Sequence, residues 1–153
     1  MREFKKHFGL RIILLMIGMT TMTACQAPVS MSFDQACQAE NNQEVISTDG
    51  YFSLGTTVYC SDTSGAFRCG LVFNSFPDGD QEFSVELKEG SRKNMMIHLE
   101  NGYLEEDLQV RTDSGELVGV GQHVTITGEM LVSGDVCSMA VDKIEVYSPP
   151  TTP

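Results

Sequence analysis

Apolar and polar residues alternate along most of the chain between residues 50 and 147. A period of two predicts half-buried strands, because successive side chains of a strand point to opposite faces of a sheet. The clearest run is Phe83, Val85 and Leu87. Other apolar positions with this spacing are Phe52, Leu54, Val58, Phe67, Cys69, Leu71, Phe73, Met95, Ile97, Leu99, Val124, Ile126, Met130, Met139, Val141, Ile144 and Val146.

Two local features complete the predicted architecture. The alternation changes phase between Val141 and Ile144, which predicts a β-bulge near residues 142–143 that keeps the strand ends in the core. Leu104 and Leu108, spaced i and i+4, predict one short helical turn that caps the bottom of a barrel. Short strands, close turns and a single helical turn predict an all-β fold, a five-to-seven-stranded antiparallel barrel.

The second half of this segment resembles a known barrel family. The stretch GQHVTITG at residues 121–128 is similar to the Gly-Asp-x-Val-x-Val-x-Gly strand of bacterial OB-fold domains, with Gln122 in place of Asp. The stretch VDKIEV at residues 141–146 is similar to their closing strand. The resemblance implies an OB-like barrel. Small exported lipoproteins with such a domain mostly have no assigned activity.

OB folds that bind ligands use the face of the second and third strands and two flanking loops, one between strands 1 and 2 and one between strands 4 and 5. We map these loops to residues 76–81 and 132–136. The candidate binding residues are therefore Phe76, Asp78, Asp80, Ser133 and Asp135.

The first 24 residues have the order of an export signal. A basic head, MREFKKHFGLR, precedes the apolar residues 12–19 and then TTMTA before Cys25. A membrane-spanning helix needs about 20 apolar residues, and this stretch is too short. Met22-Thr23-Ala24-Cys25 resembles a bacterial lipobox, with Met22 where Leu is usual. The resemblance implies cleavage between Ala24 and Cys25 and acylation of Cys25 with palmitate-type chains; an ordinary secreted product is the alternative.

The expected organisation follows from this signal. Residues 1–24 are the signal peptide, residues 25–49 a lipidated tether, residues 50–147 the barrel domain and residues 148–153 a Pro/Thr tail. Two or more acyl chains retain a protein stably at a membrane. We therefore expect a protein held at the cell membrane or outer membrane through its acyl chains, facing the periplasm or the exterior.

The charge balance excludes one class of partner. Four of the ten lysines and arginines lie in the first 24 residues, so the rest of the chain carries 6 basic residues against 20 acidic ones. Nucleic-acid affinity depends mainly on basic side chains at phosphates, so we expect no nucleic-acid partner. Lys88, Arg92 and Lys93 form the basic cluster of the domain, and we interpret it as a solubilising turn.

Four cysteines remain after Cys25, and an exported chain with an even number predicts two disulfides. A tight turn at residues 64–65 would place Cys60 opposite Cys69 in a non-hydrogen-bonded pair, which leaves Cys37 for Cys137. The rival connectivity joins Cys37 to Cys60 and Cys69 to Cys137.

Motifs for catalysis and metal binding are missing from the sequence. Neither GxSxG nor HExxH occurs, and the chain after Cys25 has only two histidines, His98 and His123. We predict no catalytic residue, metal or cofactor, and interpret Asp78, Asp80 and Glu82 as an acidic turn rather than a Ca²⁺ site.

The expected function is a non-catalytic module that binds an envelope protein, a glycan or a small ligand. An accessory structural subunit is the alternative. An envelope hydrolase would require a buried carboxylate beside His98 or His123 in a cleft.

Overall fold

The computed structural model describes residues 27–55, 58–63, 66–77 and 79–149. Within these residues, ten strands form one sheet, accompanied by one α-helix and two short 3-10 helices. The strands are β1 (Val29–Ser30), β2 (Val45–Ser53), β3 (Tyr59–Thr63), β4 (Ala66–Asn74), β5 (Glu82–Glu89), β6 (Met95–Met96), β7 (Gln109–Arg111), β8 (Leu117–Gly119), β9 (His123–Ser133) and β10 (Val136–Val146). Helix α1 spans Phe33–Ala36, and the 3-10 helices span Ala39–Asn41 and Glu105–Asp107.

Five of these strands close into a barrel. Strand β2 pairs with β4 and β9, β10 pairs with β9 and β5, and β4 pairs with β5, which completes the circle. Four of these five pairings are antiparallel. The fifth, between β5 and β10, is parallel. These are the third and fifth barrel strands, and the chain between them includes β6 to β9. The architecture confirms the predicted small OB-like barrel.

The alternation of apolar residues marks the barrel core as predicted. Phe83, Val85 and Leu87 of β5 are all buried. The predicted bulge is present in β10, where the register against β9 shifts between residues 141 and 143. Gly128 lies opposite this bulge, and a Cβ atom there would be 2.2 Å from the carbonyl oxygen of Ala140. The two strands therefore approach more closely than any other residue type at position 128 would allow.

Some positions that were predicted to lie in the core are exposed, and these lie near strand ends. Phe67 and Val146 are exposed, since the first lies near the tip of the β3–β4 hairpin and the second is the last residue of β10. Met96 is buried instead of Met95. Strand β6 is only two residues long and follows Asn94, whose φ of 59° turns the chain and changes the phase.

Helix α1 closes one end of the barrel, which we name the helix end. The ring of Phe33 packs against the rings of Phe73 and Phe83, with centroid distances of 6.0 Å and 5.0 Å. Ala36 is fully buried. The disulfide from Cys37 then ties this segment to the start of β10.

Much of the predicted tether, residues 25–49, belongs to the folded domain, so the predicted boundary at residue 50 is wrong. The first barrel strand begins at Val45. Before it, the backbone N–H of Gln43 donates to the carbonyl oxygen of Met130 at 2.8 Å. This polar segment is attached by backbone hydrogen bonds and short elements, which leave no apolar periodicity to detect.

The segment between β5 and β9 covers the opposite end, which we name the insertion end. Leu108, Val110 and Val118 of this segment are buried in the core. The predicted helical turn is a 3-10 helix, and it buries Leu108 at 1% exposure while Leu104 remains 61% exposed. Only one leucine caps the barrel, because residues i and i+4 do not share a face in a 3-10 helix, which has three residues per turn.

Both predicted disulfides are present, Cys37–Cys137 and Cys60–Cys69. Cys60 lies opposite Cys69 in the β3–β4 register, with 4.0 Å between the Cα atoms. The hairpin argument is therefore confirmed and the rival connectivity is wrong. Residues 64–65 at the turn itself lie outside the described residues.

The predicted processing site also lies outside the described residues, because these begin after Ala24 and Cys25. Asp78 and the last four residues of the tail are likewise not described. Among the residues that are described, no helix combines the length and the apolar character needed to cross a membrane.

Candidate functional site

One of the two predicted binding loops occupies a different position in the fold. Residues 76–81 connect β4 and β5, the second and third barrel strands, rather than the first and second. The assignment is wrong because the first barrel strand starts inside the predicted tether. The connection between the first two barrel strands runs from β2 to β4 and contains β3. The second predicted loop, residues 132–136, does lie between the fourth and fifth strands, and residues 134–135 connect them.

The candidate binding residues are dispersed in the structure. Phe76 is 68% exposed and lines a cavity at the helix end. Asp135 lines a separate cleft beside the start of β5. Asp80 and Ser133 are exposed in their loops. Of the candidates that the structure describes, only Phe76 borders the helix-end cavity described next.

An aromatic stack crosses the outer face of β2, β9 and the end of β10. Tyr51 lies opposite His123 in the β2–β9 register, with ring centroids 4.6 Å apart and ring planes at 12°. Tyr147 stacks on His123 from the β10 side, with centroids 3.9 Å apart, and its backbone N–H donates to the carbonyl oxygen of His123 at 3.1 Å. The imidazole is thereby held between two phenol rings.

Asp49, two residues before Tyr51 on β2, completes this cluster. Alternation along the strand places Asp49 and Tyr51 on the outward face. The Oδ2 atom of Asp49 is 2.9 Å from Nε2 of His123. Because both side chains are partly exposed, the pair adds little stability. Its main effect is to orient the imidazole ring.

Gly50 explains how β2 brings these residues beside the loop of Phe76. A Cβ atom at position 50 would lie 2.5 Å from the carbonyl oxygen of Asn74 and 2.7 Å from the ring of Phe73. Strand β2 therefore crosses β4 at close range, and Tyr51 pairs with Asn74 directly before residues 75–81.

A cavity of about 510 Å³ opens beside the stack, and we name it the aromatic pocket. Its described lining contains three phenyl or phenol rings, one imidazole and two carboxylates, and it includes no lysine or arginine. The residues that line it are Ser32, Phe33, Asp34, Asp49, Tyr51, Ser75, Phe76, Gln81 and His123. The pocket is concave, aromatic and negatively charged.

The pocket lacks the contact that nucleophilic catalysis requires. A serine hydrolase needs a hydroxyl within hydrogen-bond reach of a histidine that a carboxylate orients. Asp49 orients His123. Ser32 and Ser75 line the pocket, but neither donates to His123 in the part of the chain that the structure describes.

A second carboxylate–histidine pair lies at the insertion end. Glu89, whose side chain is 14% exposed, contacts Nδ1 of His98. His98 borders a cleft of about 450 Å³. Glu89 is half-buried rather than buried and does not line the cleft, so the arrangement named for a hydrolase is not met by this pair. The described residues that line the cleft also include no serine, threonine or cysteine.

The same region contains a group of metal-ligand residue types, Cys60, Cys69 and Glu89. The two sulfur atoms are joined in a disulfide. Because zinc binds thiolates rather than disulfides, this group does not fit a metal ion.

Of the residues that line the aromatic pocket, only Phe76 was proposed from the sequence, and three that form its aromatic stack and carboxylate contact were missed. Asp49 was assigned to the tether, Tyr51 was not singled out, and His123 was considered only as a metal or hydrolase residue. These residues meet through the register of β2 on β9, which joins positions more than 70 residues apart in the chain. A single sequence carries no signal for that register.

Comparisons with known proteins add little to this description. No protein-family model and no curated protein matches the chain. Among solved structures, a putative aspartyl-tRNA synthetase from Leishmania major Friedlin superposes with a TM-score of 0.45 and 12% sequence identity. The superposition covers 88% of this chain and 24% of that one, so the chain spans about a quarter of the neighbour's length. A likeness of this strength does not bear on function.

Proposed function

We propose that this protein is an exported, non-catalytic binding module that acyl chains on Cys25 hold at the cell membrane or outer membrane, facing the periplasm or the exterior. The aromatic pocket takes a small ligand that carries a cationic group. The observation that supports this proposal is the convergence of rings and carboxylates in one cavity without a lysine or arginine in its described lining.

The chemistry of the lining favours a cation. Asp34 and Asp49 provide two negative charges, and their carboxylates accept hydrogen bonds from an ammonium or guanidinium group. The faces of aromatic rings such as Tyr51 and Phe76 attract cations through the ring quadrupole. An anionic ligand would meet the two negative carboxylates, and no lysine or arginine of the described lining would offset their repulsion.

The size of the pocket favours a small molecule over a protein surface. Its volume lies within the range of about 300–1,000 Å³ that is typical of small-molecule sites. The alternative, an accessory structural subunit, would bury exposed apolar side chains such as Tyr59, Leu104 and Val136. Val136 begins β10, whereas Leu104 directly precedes the second 3-10 helix, which gives less support to a single apolar interface.

Binding is tested by titrating the full chain, in neutral-detergent micelles, with phenethylammonium and with the uncharged 2-phenylethanol. We expect the cation to bind more tightly. Asp49→Asn should lower its affinity about tenfold, the size expected for one charge-assisted hydrogen bond. Glu129→Gln is the matched control, because it removes one carboxylate from the same outward face of the sheet.

Equal affinity for the two probes, or equal losses in the two variants, would exclude the aromatic pocket as a cation site. If neither probe binds and a partner instead covers the exposed apolar residues, the structural-subunit alternative is correct.

The anchor is tested separately from the pocket. Cys25→Ala should abolish incorporation of labelled palmitate in bacteria that produce the chain, because the lipobox resemblance assigns a diacylglyceryl group to the Cys25 sulfur and a further acyl chain to its amine. Cys37→Ala is the matched control, since it removes a cysteine of the folded domain. Retention of the label in Cys25→Ala would overturn the anchor while leaving the binding proposal intact.

A further inference from the structure

The few basic residues of the folded domain are concentrated at one place. Six lysines and arginines follow residue 24, and four of them line one open groove of about 990 Å³ at the insertion end. We name it the basic groove, defined by Lys88, Arg92, Lys93 and Arg111. The described residues of its lining include no aspartate or glutamate. The groove is therefore a local excess of positive charge in a domain that has 20 acidic residues.

The loop that carries two of these cations is firmly attached. Asn94 adopts a left-handed conformation with φ of 59° at the end of residues 90–94. Its backbone N–H donates to the carbonyl oxygen of Arg111 at 2.8 Å, and its side-chain amide donates to Asp113 at 3.0 Å. Its amide oxygen accepts from the backbone N–H of Ile144 at 2.9 Å. The loop is therefore fixed to both β7 and β10, which orders the cations in advance of binding.

Arg111 is itself held in place with a donor to spare. It lies opposite Met95 in the β6–β7 register, and its Nη1 donates to the carbonyl oxygen of Gly115 at 3.0 Å. Its Nε is buried and has no hydrogen-bond partner among the described residues. A buried donor without an acceptor is unfavourable, and turning the guanidinium group towards an anion in the groove would remove this cost.

The number of cations favours a phosphate-bearing ligand over a carboxylate. Two guanidinium groups offer the planar donor arrangement that matches phosphate oxygens, and two ammonium groups add point charges. A carboxylate carries one negative charge, whereas a phosphomonoester or diphosphate carries more. The methylene stems of these side chains and Met95 supply an apolar floor, which suits a phosphate attached to an organic group.

The surroundings limit how large the anion can be. Lys88 lies 3.5 Å from Asp142, and Arg68 next to the groove lies 4.0 Å from Glu86. These carboxylates flank the groove and repel any chain of negative charges that extends beyond it. The groove thus selects a compact anion, in agreement with the expected lack of a nucleic-acid partner.

We propose that the basic groove binds a compact phosphate-bearing anion, through Arg92, Lys93 and Arg111 with Lys88 at its edge. The anion is either a soluble phosphorylated compound or the phosphomonoester headgroup of a phospholipid. This inference is independent of the aromatic pocket, because the described linings of the two sites share no residue.

The test uses the full chain in neutral-detergent micelles at physiological ionic strength, followed by backbone amide chemical shifts. One arm adds inorganic pyrophosphate. The other adds phosphatidic acid, whose headgroup is a phosphomonoester, to the micelles, with phosphatidylcholine as the counterpart of zero net charge. We expect the amides of residues 90–94 and 111–115 to shift with pyrophosphate, with phosphatidic acid, or with both, and this outcome identifies the source of the phosphate.

Variants assign the effect to the groove. R92Q/K93Q should weaken binding at least about tenfold, the change expected when charge-assisted contacts are lost. Both residues are exposed on a loop, so the fold should be retained. K143Q is the control, because it removes an exposed cation that pairs with Glu145 outside the groove; it should change affinity less than about twofold.

Two results would overturn the proposal. One is an absence of shifts at residues 90–94 and 111–115 with either phosphate source. The other is binding that R92Q/K93Q and K143Q weaken to the same extent, which would show a general effect of net charge.

Discussion

The two ends of the barrel carry opposite chemistry. At the helix end, the aromatic pocket combines rings with two carboxylates. At the insertion end, the basic groove combines four cations with an apolar floor. A single small barrel thus separates its charges, although the chain as a whole has a formal net charge of −11. The comparison shows that net charge limits the partners of a domain but does not determine the chemistry of each local site.

The two ends are also assembled differently. Residues of the aromatic pocket come from α1, β2, the β4–β5 loop and the start of β9. Residues of the basic groove come from one stretch, the end of β5 through β7 and its following turn. The first arrangement depends on closure of the barrel, and the second depends mainly on one insertion and its attachment through Asn94.

The disulfides provide the largest test of this difference. Cys37–Cys137 at the helix end closes a separation of 100 residues, and Cys60–Cys69 at the insertion end closes a separation of 9. The entropy of the unfolded chain predicts a loss of about 5 kcal/mol for C37A/C137A and about 3 kcal/mol for C60A/C69A. Urea denaturation measures both. A larger loss of stability from C60A/C69A would show that native packing, rather than loop length, determines which disulfide contributes more.

The insertion end can be tested through its capping leucine. Leu108→Ala should lower the free energy of unfolding by about 3 kcal/mol, because it creates a cavity at a buried position. Leu104→Ala removes the same atoms from an exposed position and should change it by less than about 0.5 kcal/mol. Similar losses in the two variants would mean that both leucines cap the barrel.

The helix end can be tested through Gly50. Gly50→Ala introduces a methyl group that must displace the carbonyl oxygen of Asn74 or the ring of Phe73. Overpacking of this kind costs about 1–3 kcal/mol. Gly70→Ala is the matched control, because a Cβ atom there has its nearest contact at 3.8 Å. Thermal denaturation should separate the variants, and equal melting temperatures would contradict the close crossing of β2 and β4.

The smallest predicted effect concerns Lys143, the cation outside the basic groove. A hydrogen bond from its ammonium to Glu145 raises the pKa of Lys143 above the ordinary value of 10.5, against a smaller lowering by desolvation. Because the folded-state pKa is the higher one, the stabilising contribution is complete below pH 10.5 and is lost as the pH rises through the raised pKa. Glu145→Gln should bring the pKa of Lys143 down towards 10.5 in an NMR titration. An unchanged pKa would show that Glu145 is not the cause.

Local signals predicted much of the fold. The alternation at Phe83, Val85 and Leu87 located β5 and its buried face, and the phase change near Val141 located the bulge. The hairpin register predicted the bridge between Cys60 and Cys69. Each of these signals lies within a few residues of the structure that it predicts.

Features that depend on distant contacts were missed. Residues before Val45 enter the fold through backbone hydrogen bonds and through single apolar side chains such as Phe33 and Ala36, which form no periodic pattern. Asp49, Tyr51 and His123 meet only because β2 pairs with β9. The basic groove is intermediate: Lys88, Arg92 and Lys93 form a cluster in the sequence, but Arg111 joins them only through the pairing of β6 with β7.

The most direct test of the account maps two titrants onto one labelled protein. Phenethylammonium and inorganic pyrophosphate are added in turn, and backbone amide shifts are recorded for each. The account predicts that the cation shifts Asp49, Tyr51 and His123 at the helix end, and that the anion shifts residues 90–94 and Arg111 at the insertion end. Shifts of the same residues by both titrants, or shifts by the cation that leave the helix end unchanged, would contradict it.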